Sequence, residues 1–174
     1  MSKTDYIYDA VDDFGLITSA EAKELGVSNA ELVQQARRGK LARVGRGVYR
    51  VAVWPYQEAA PYAVAVKSVS PSAYLLGESV IALLGLTPTN PERIRVGAPE
   101  RVRKDFGGGI VVEKRQPNEA TTFYEGIPAQ TMRGAVVDAA KTIGKARALQ
   151  AAIEAAKQGY ITAVEAEEIE EALR

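Results

Sequence analysis

Two side-chain types that often carry chemistry near neutral pH are missing from this chain, which has no histidine and no cysteine. Without imidazole it lacks the usual general base and the commonest metal ligand, and without thiols it has neither a thiolate nucleophile nor a disulfide. What stands out instead is clustered charge. Arg37, Arg38, Lys40, Arg43, Arg46 and Arg50 fall within residues 32–51, and no acidic residue interrupts them. Residues 1–31 carry two lysines against seven acidic residues, while the whole chain balances at 22 basic and 22 acidic residues. A basic block on a neutral chain points to an anionic partner at one face. Gln34 stands one helical turn before Arg38. Glutamine can pair with adenine and arginine with guanine, each through two hydrogen bonds in the major groove. The chemistry these residues predict is recognition of double-stranded DNA.

Other chemical patterns are less complete. Gly107, Gly108 and Gly109 follow Arg101, Arg103 and Lys104, but no Lys-Ser/Thr pair completes a phosphate loop and no helix start follows. The segment reads as a flexible hairpin loop, with the cations as a second basic patch for nucleic acid or an acidic partner. Glu113 and Arg115 suggest part of a metal-dependent nuclease site. No second carboxylate stands at a matching spacing, and arginine stays protonated and cannot act as a base. Asp12 and Asp13 read as a solvated helix end. The expectation is a protein without enzymatic activity, cofactor or metal.

The basic block needs a scaffold. Residues 6–14 have apolar side chains at helical spacing and suggest a first helix. Thr18 with Glu21, and Ser28 with Glu31, make two capping boxes that open helices over 19–25 and 29–38, with Gly26 supplying the turn between them. The second of these helices buries Leu32, Val33 and Ala36, which leaves Ala30, Gln34, Arg37 and Arg38 on the opposite side. Ser28 and Asn29 lie at its N-terminus, where free N–H groups favour phosphate. Strands over 41–44 and 48–51 are joined by Gly45-Arg46-Gly47, a turn that fits a basic wing. Arg46 sits at its tip with Arg43 and Arg50 on the strands, and Lys40 is placed for phosphate.

The resulting class is α+β: an N-terminal winged helix-turn-helix over 1–53, a connector over 54–61 and a mixed α/β C-terminal domain over 62–174. In the last, Tyr74, Leu75, Leu76, Ile81, Leu83 and Leu84 are the expected core. The segment GYITAVEAEEI near the C-terminus echoes GLITSAEAKEL, reusing its strand, cap and helix start without any basic helix or hairpin. The most apolar stretch, residues 74–86, is too short for a membrane span, and the acidic N-terminus does not resemble a secretory signal. A cytoplasmic location is expected.

The motifs GLIT, AKELGV, ARRGKLARV and GRGVYRV resemble the N-terminal domain of the AbiEi family of antitoxins. SVIALLGL, RIRVGAP, GGIVVEKR, TTFYEGIPAQTMRGAVVDAA and AAKQGYIT resemble that family's C-terminal region, in matching order. The resemblance implies a transcriptional autorepressor that binds inverted repeats in its own promoter. It also implies an antitoxin role, exerted through the C-terminal domain, against a nucleotidyltransferase-like toxin. A different reading is a protein-interaction module that neutralises such a toxin by direct binding, its winged helix being structural.

Overall fold

The computed structural model describes residues 1–174, which divide into two units, Met1–Pro71 and Ser72–Arg174. The first contains α1 (Lys3–Ala10), β1 (Leu16–Thr18), α2 (Ser19–Glu24), α3 (Asn29–Arg37), β2 (Leu41–Gly45), β3 (Val48–Val51) and α4 (Ala60–Val69). α1 starts earlier than the apolar pattern predicts because Ser2 and Asp5 form a capping box. It also stops earlier, and Asp12 Oδ1 accepts from the N–H groups of Phe14 and Leu16 to turn the chain into β1. Asp12 is therefore a half-buried turn residue and not part of a solvated helix end. The capping boxes of Thr18 with Glu21 and of Ser28 with Glu31 are both present. Gly26 takes a φ of 82° between the two helices, a conformation that disfavours a side chain.

The sheet has the order β1-β3-β2 and is antiparallel throughout. Ile17 pairs with Tyr49, and Leu41 with Val51; these four join Ile7, Ala22, Val27 and Leu32 in a core beneath the helices. Strand alternation turns Leu16, Val48 and Arg50 to the opposite face. That face is covered by α4. A Cβ built on Gly45 would lie 2.6 Å from Ser68 Oγ and 2.8 Å from Val64 Cγ1. The first unit therefore continues to Pro71, past the expected end at residue 53, because Leu16 and Val48, both 0% exposed, need a second apolar cover.

The expected connector is itself tied down. Trp54 Nε1 and Gln57 Nε2 both donate to the Asp13 carbonyl, at 3.1 and 2.6 Å.

The second unit contains β4 (Tyr74–Leu75), α5 (Glu78–Leu84), β5 (Ile94–Ala98), β6 (Ile110–Lys114), β7 (Thr121–Tyr124), β8 (Ile127–Gln130), α6 (Met132–Ile143), α7 (Lys145–Lys157) and α8 (Ala163–Leu173). Its sheet has the order β6-β5-β4-β8-β7. β5 pairs with β6 in parallel, as β4 does with β8. Residues 99–109 are thus a crossover between parallel strands and not a hairpin loop, and the glycine run closes that crossover. Tyr74, Leu75, Leu76 and Ile81 are buried as expected, whereas Leu83 and Leu84 are only half-buried at the end of α5. Ala148, Ala151, Ala152 and Ala155 are fully buried along α7, where small side chains permit close helix approach. The C-terminal echo shares its capping box, Thr162 with Glu165, but Ile161 is not in a strand. No helix is long and apolar enough to cross a membrane.

Candidate nucleic-acid interface

The residues of α3 divide by burial as an amphipathic helix should. Leu32 is buried and Val33 and Ala36 are half-buried, while Ala30, Gln34, Arg37 and Arg38 are exposed. The ~100° step per residue gathers these four into one outward stripe. Lys40 is exposed immediately beyond the helix. Arg43 pairs with Tyr49 across β2 and β3, so it shares the sheet face that carries the helices. Arg46 is exposed at the wing turn. Gln34, Arg37, Arg38, Lys40 and Arg43 thus lie on the helix side of the sheet, with Arg46 at its tip.

Arg50 does not join them. It pairs with Leu16 and Ala42, its side chain belongs to the face covered by α4, and its Nε is buried without a hydrogen-bond partner. Its aliphatic stem extends the apolar layer there. Sequence alone does not separate it from the wing cations, since Val48, Tyr49, Arg50 and Val51 are all at least half-buried and hydropathy does not distinguish the two faces.

The start of α3 is more constrained than a free helix end. The Ser28 hydroxyl accepts from Glu31 N–H at 3.2 Å, and the Ser28 N–H donates to the Glu31 carboxylate at 2.8 Å. That carboxylate would oppose a phosphate, but it is bonded to Lys3 Nζ, whose hydrogen bond holds its pKa below the usual carboxylate value. Lys3 thereby offsets the one acid at this terminus. Asn29, at the first helical position, is exposed, and its N–H lies ahead of any intrahelical acceptor.

The wing is anchored on the helical side as well. Gly47 O accepts from Ser19 N–H at 2.9 Å, linking the turn to the first residue of α2. β2 carries a register shift between Arg43 and Gly45, which leaves Val44 bulged outward. Bulges increase local twist and re-aim the strand end.

In the second unit, Glu113 and Arg115 do not bond to each other. Glu113 accepts from Arg95 Nη2 at 2.6 Å, while Arg115 bonds to Glu119 and to Asp138. Gln130 Nε2 donates to both of those carboxylates, and its Oε1 accepts from Gly77 N–H. Glu113, Glu119 and Asp138 are thus each paired with an arginine. Arg95, Glu119, Gln130 and Asp138 were not singled out by the sequence, because only the strand register and α6 bring them together.

Three helices, a three-stranded sheet and a basic two-strand wing define the first unit as a winged helix-turn-helix. Residues 6–52 match the family model described as "Transcriptional regulator, AbiEi antitoxin". The match covers the N-terminal region and ends before α4. No curated protein matches the chain.

Proposed function

We propose that this chain is a sequence-specific, non-enzymatic DNA-binding autorepressor that acts as the antitoxin of a toxin-antitoxin system. The observation that carries the reading is the exposed stripe of Gln34, Arg37 and Arg38 on α3, continued by Lys40, Arg43 and Arg46 with no acid among them. In this reading α3 enters the major groove of double-stranded DNA, with Gln34 and Arg38 contacting base edges. Lys40, Arg43 and Arg46 neutralise phosphates, and the N-terminus of α3 at Ser28 and Asn29 adds a further phosphate contact. The DNA is expected to contain inverted repeats in the chain's own promoter. The second unit is assigned the antitoxin role toward a nucleotidyltransferase-like toxin, on the strength of the family resemblance.

The test is a titration of the full chain against duplex DNA from upstream of its own gene, at several salt concentrations. Tight binding at low salt that weakens steeply as salt rises supports the reading. Absence of binding at low salt overturns it. Co-purification of the neighbouring gene product, persisting after Arg37, Arg38 and Arg46 are all replaced by alanine, would favour direct binding of a protein partner instead.

A further inference from the structure

We propose that α4 is a positioning element of the DNA-binding unit: Val64 and Ser68 seat the wing at Gly45, and Lys67 fixes that seat to the start of α2. The proposal rests on the DNA-binding reading above and adds residues beyond the segment that matches the family model.

Three contacts carry it. The first is the approach at Gly45. A Cβ there would lie 2.6 Å from Ser68 Oγ and 2.8 Å from Val64 Cγ1, so α4 occupies the space a side chain would need. Gly45 has no left-handed backbone conformation, and the requirement for glycine is therefore one of packing. Ser68 is held in place because its hydroxyl donates to the Val64 carbonyl at 2.7 Å.

The second contact is ionic. Lys67 Nζ lies 3.5 Å from Asp12 Oδ2 and 3.3 Å from Glu21 Oε1. The same Glu21 receives the Thr18 N–H and closes the capping box that starts α2, and Asp12 holds the turn into β1. One lysine thereby links α4 to both ends of the segment that leads into the helix-turn-helix. The third contact is the hydrogen bond from Ser19 N–H to Gly47 O, which fastens the far side of the same turn.

The turn that carries Arg46 is thus fixed from α2 on one side and from α4 on the other. A wing ordered before binding loses less conformational freedom when DNA arrives, and that saving appears directly as affinity. An equally basic wing without its seat would keep its charge and lose its placement.

The test uses the full chain and two readouts: amide exchange over residues 44–48, and titration with a labelled duplex from upstream of its own gene. Gly45→Ala is expected to speed wing exchange at least tenfold and to weaken duplex binding about tenfold, with protection in α3 unchanged. Adding Val64→Ala and Ser68→Ala to Gly45→Ala clears the space and should restore both readouts. Lys67→Met should move both in the same direction by a smaller factor, and it carries the test if Gly45→Ala also loses protection in α3. A parent that binds the duplex while Gly45→Ala and Lys67→Met bind it equally well, with unchanged wing exchange, overturns the role of α4. Failure of the triple variant to restore either readout overturns the seat at Gly45. A parent that binds no duplex overturns the DNA-binding reading itself.

Discussion

Arg115 grips Glu119 through two donors, its Nε 2.9 Å from one carboxylate oxygen and its Nη2 2.6 Å from the other. The Tyr74 hydroxyl adds a third bond at 2.7 Å. The hydrogen bond from Arg115 is the main reason the Glu119 carboxyl lies below its ordinary pKa of 4.5. Burial and the bond to Glu119 in turn push the Tyr74 phenol well above its ordinary value. A carboxyl whose pKa is lower in the folded than in the unfolded chain stabilises the fold fully above the unfolded value. That contribution disappears as pH falls through the folded value. The parent should therefore lose stability progressively below about pH 4.5, in part through Glu119. Glu119→Gln should already be weaker at pH 7, by about 1.5–3 kcal/mol, the range for hydrogen bonds to a charged group. Its unfolding midpoint should then change less on acidification than the parent's. Urea unfolding of both proteins between pH 7 and pH 3 checks this, and parallel pH profiles would count against the assignment.

Gln34 and the cations of the first unit should separate into three behaviours when each is replaced by alanine. Arg38→Ala and Gln34→Ala should relax base preference at particular positions, each by about 1–3 kcal/mol of discrimination. Lys40→Ala and Arg46→Ala should weaken all duplexes alike and reduce the salt slope by about 0.9 for each lost phosphate contact. Arg50→Ala should leave the salt slope unchanged and lower thermal stability, because this side chain packs on the α4 face of the sheet. Binding isotherms at four salt concentrations, read beside melting curves, distinguish the three. A reduced slope for Arg50→Ala would contradict its placement.

Legibility in the sequence followed the range of the interaction. The capping boxes at Thr18 and Ser28 depend on a residue three positions away, and the outward stripe of α3 depends on one helical period, so both were readable. The fate of α4 was not. Its sequence, APYAVAVKSV, is apolar enough to join either core, and only the bare face of Leu16 and Val48 decides which. The direction of β6 was hidden for a similar reason. A glycine run between two apolar strands is compatible with a hairpin or a crossover, and the parallel register emerges from pairing along β5. The Arg95–Glu113 pair required that same register, since these residues are distant in sequence and meet only across the sheet.

Gly15 and Trp54 make the tightest glycine contact in the chain, and they support a prediction that needs no DNA. A Cβ on Gly15 would lie 2.3 Å from Trp54 Cγ, and the residue also takes a φ of +73°. Gly15→Ala must displace the indole and accept a strained backbone. Overpacking of this kind costs about 1–3 kcal/mol. Trp54 is the only tryptophan, so its fluorescence reports the displacement directly. The variant should melt earlier, with its emission shifted toward that of a solvated indole. An unchanged spectrum and melting temperature would mean that the 54–57 segment does not press on the turn before β1.

The two-sided cover of the first sheet sets the minimum fragment that should fold. Leu16 and Val48 are 0% exposed in the whole chain, yet both lie on the face away from α1, α2 and α3. A fragment ending at residue 58 would retain every element of the winged helix and leave that face bare. Fully burying a valine or leucine side chain is worth about 1.5–3 kcal/mol, a large fraction of the stability of so small a unit. A fragment of residues 1–71 should therefore unfold cooperatively, and a fragment of residues 1–58 should be at least about 3 kcal/mol less stable or fail to fold, on that same scale. Replacing Leu16 and Val48 by threonine in the shorter fragment should improve its solubility without recovering the stability of the longer one. Comparison of the urea midpoints of the fragments tests this, and equal midpoints for the two lengths would show that α4 is dispensable to the fold.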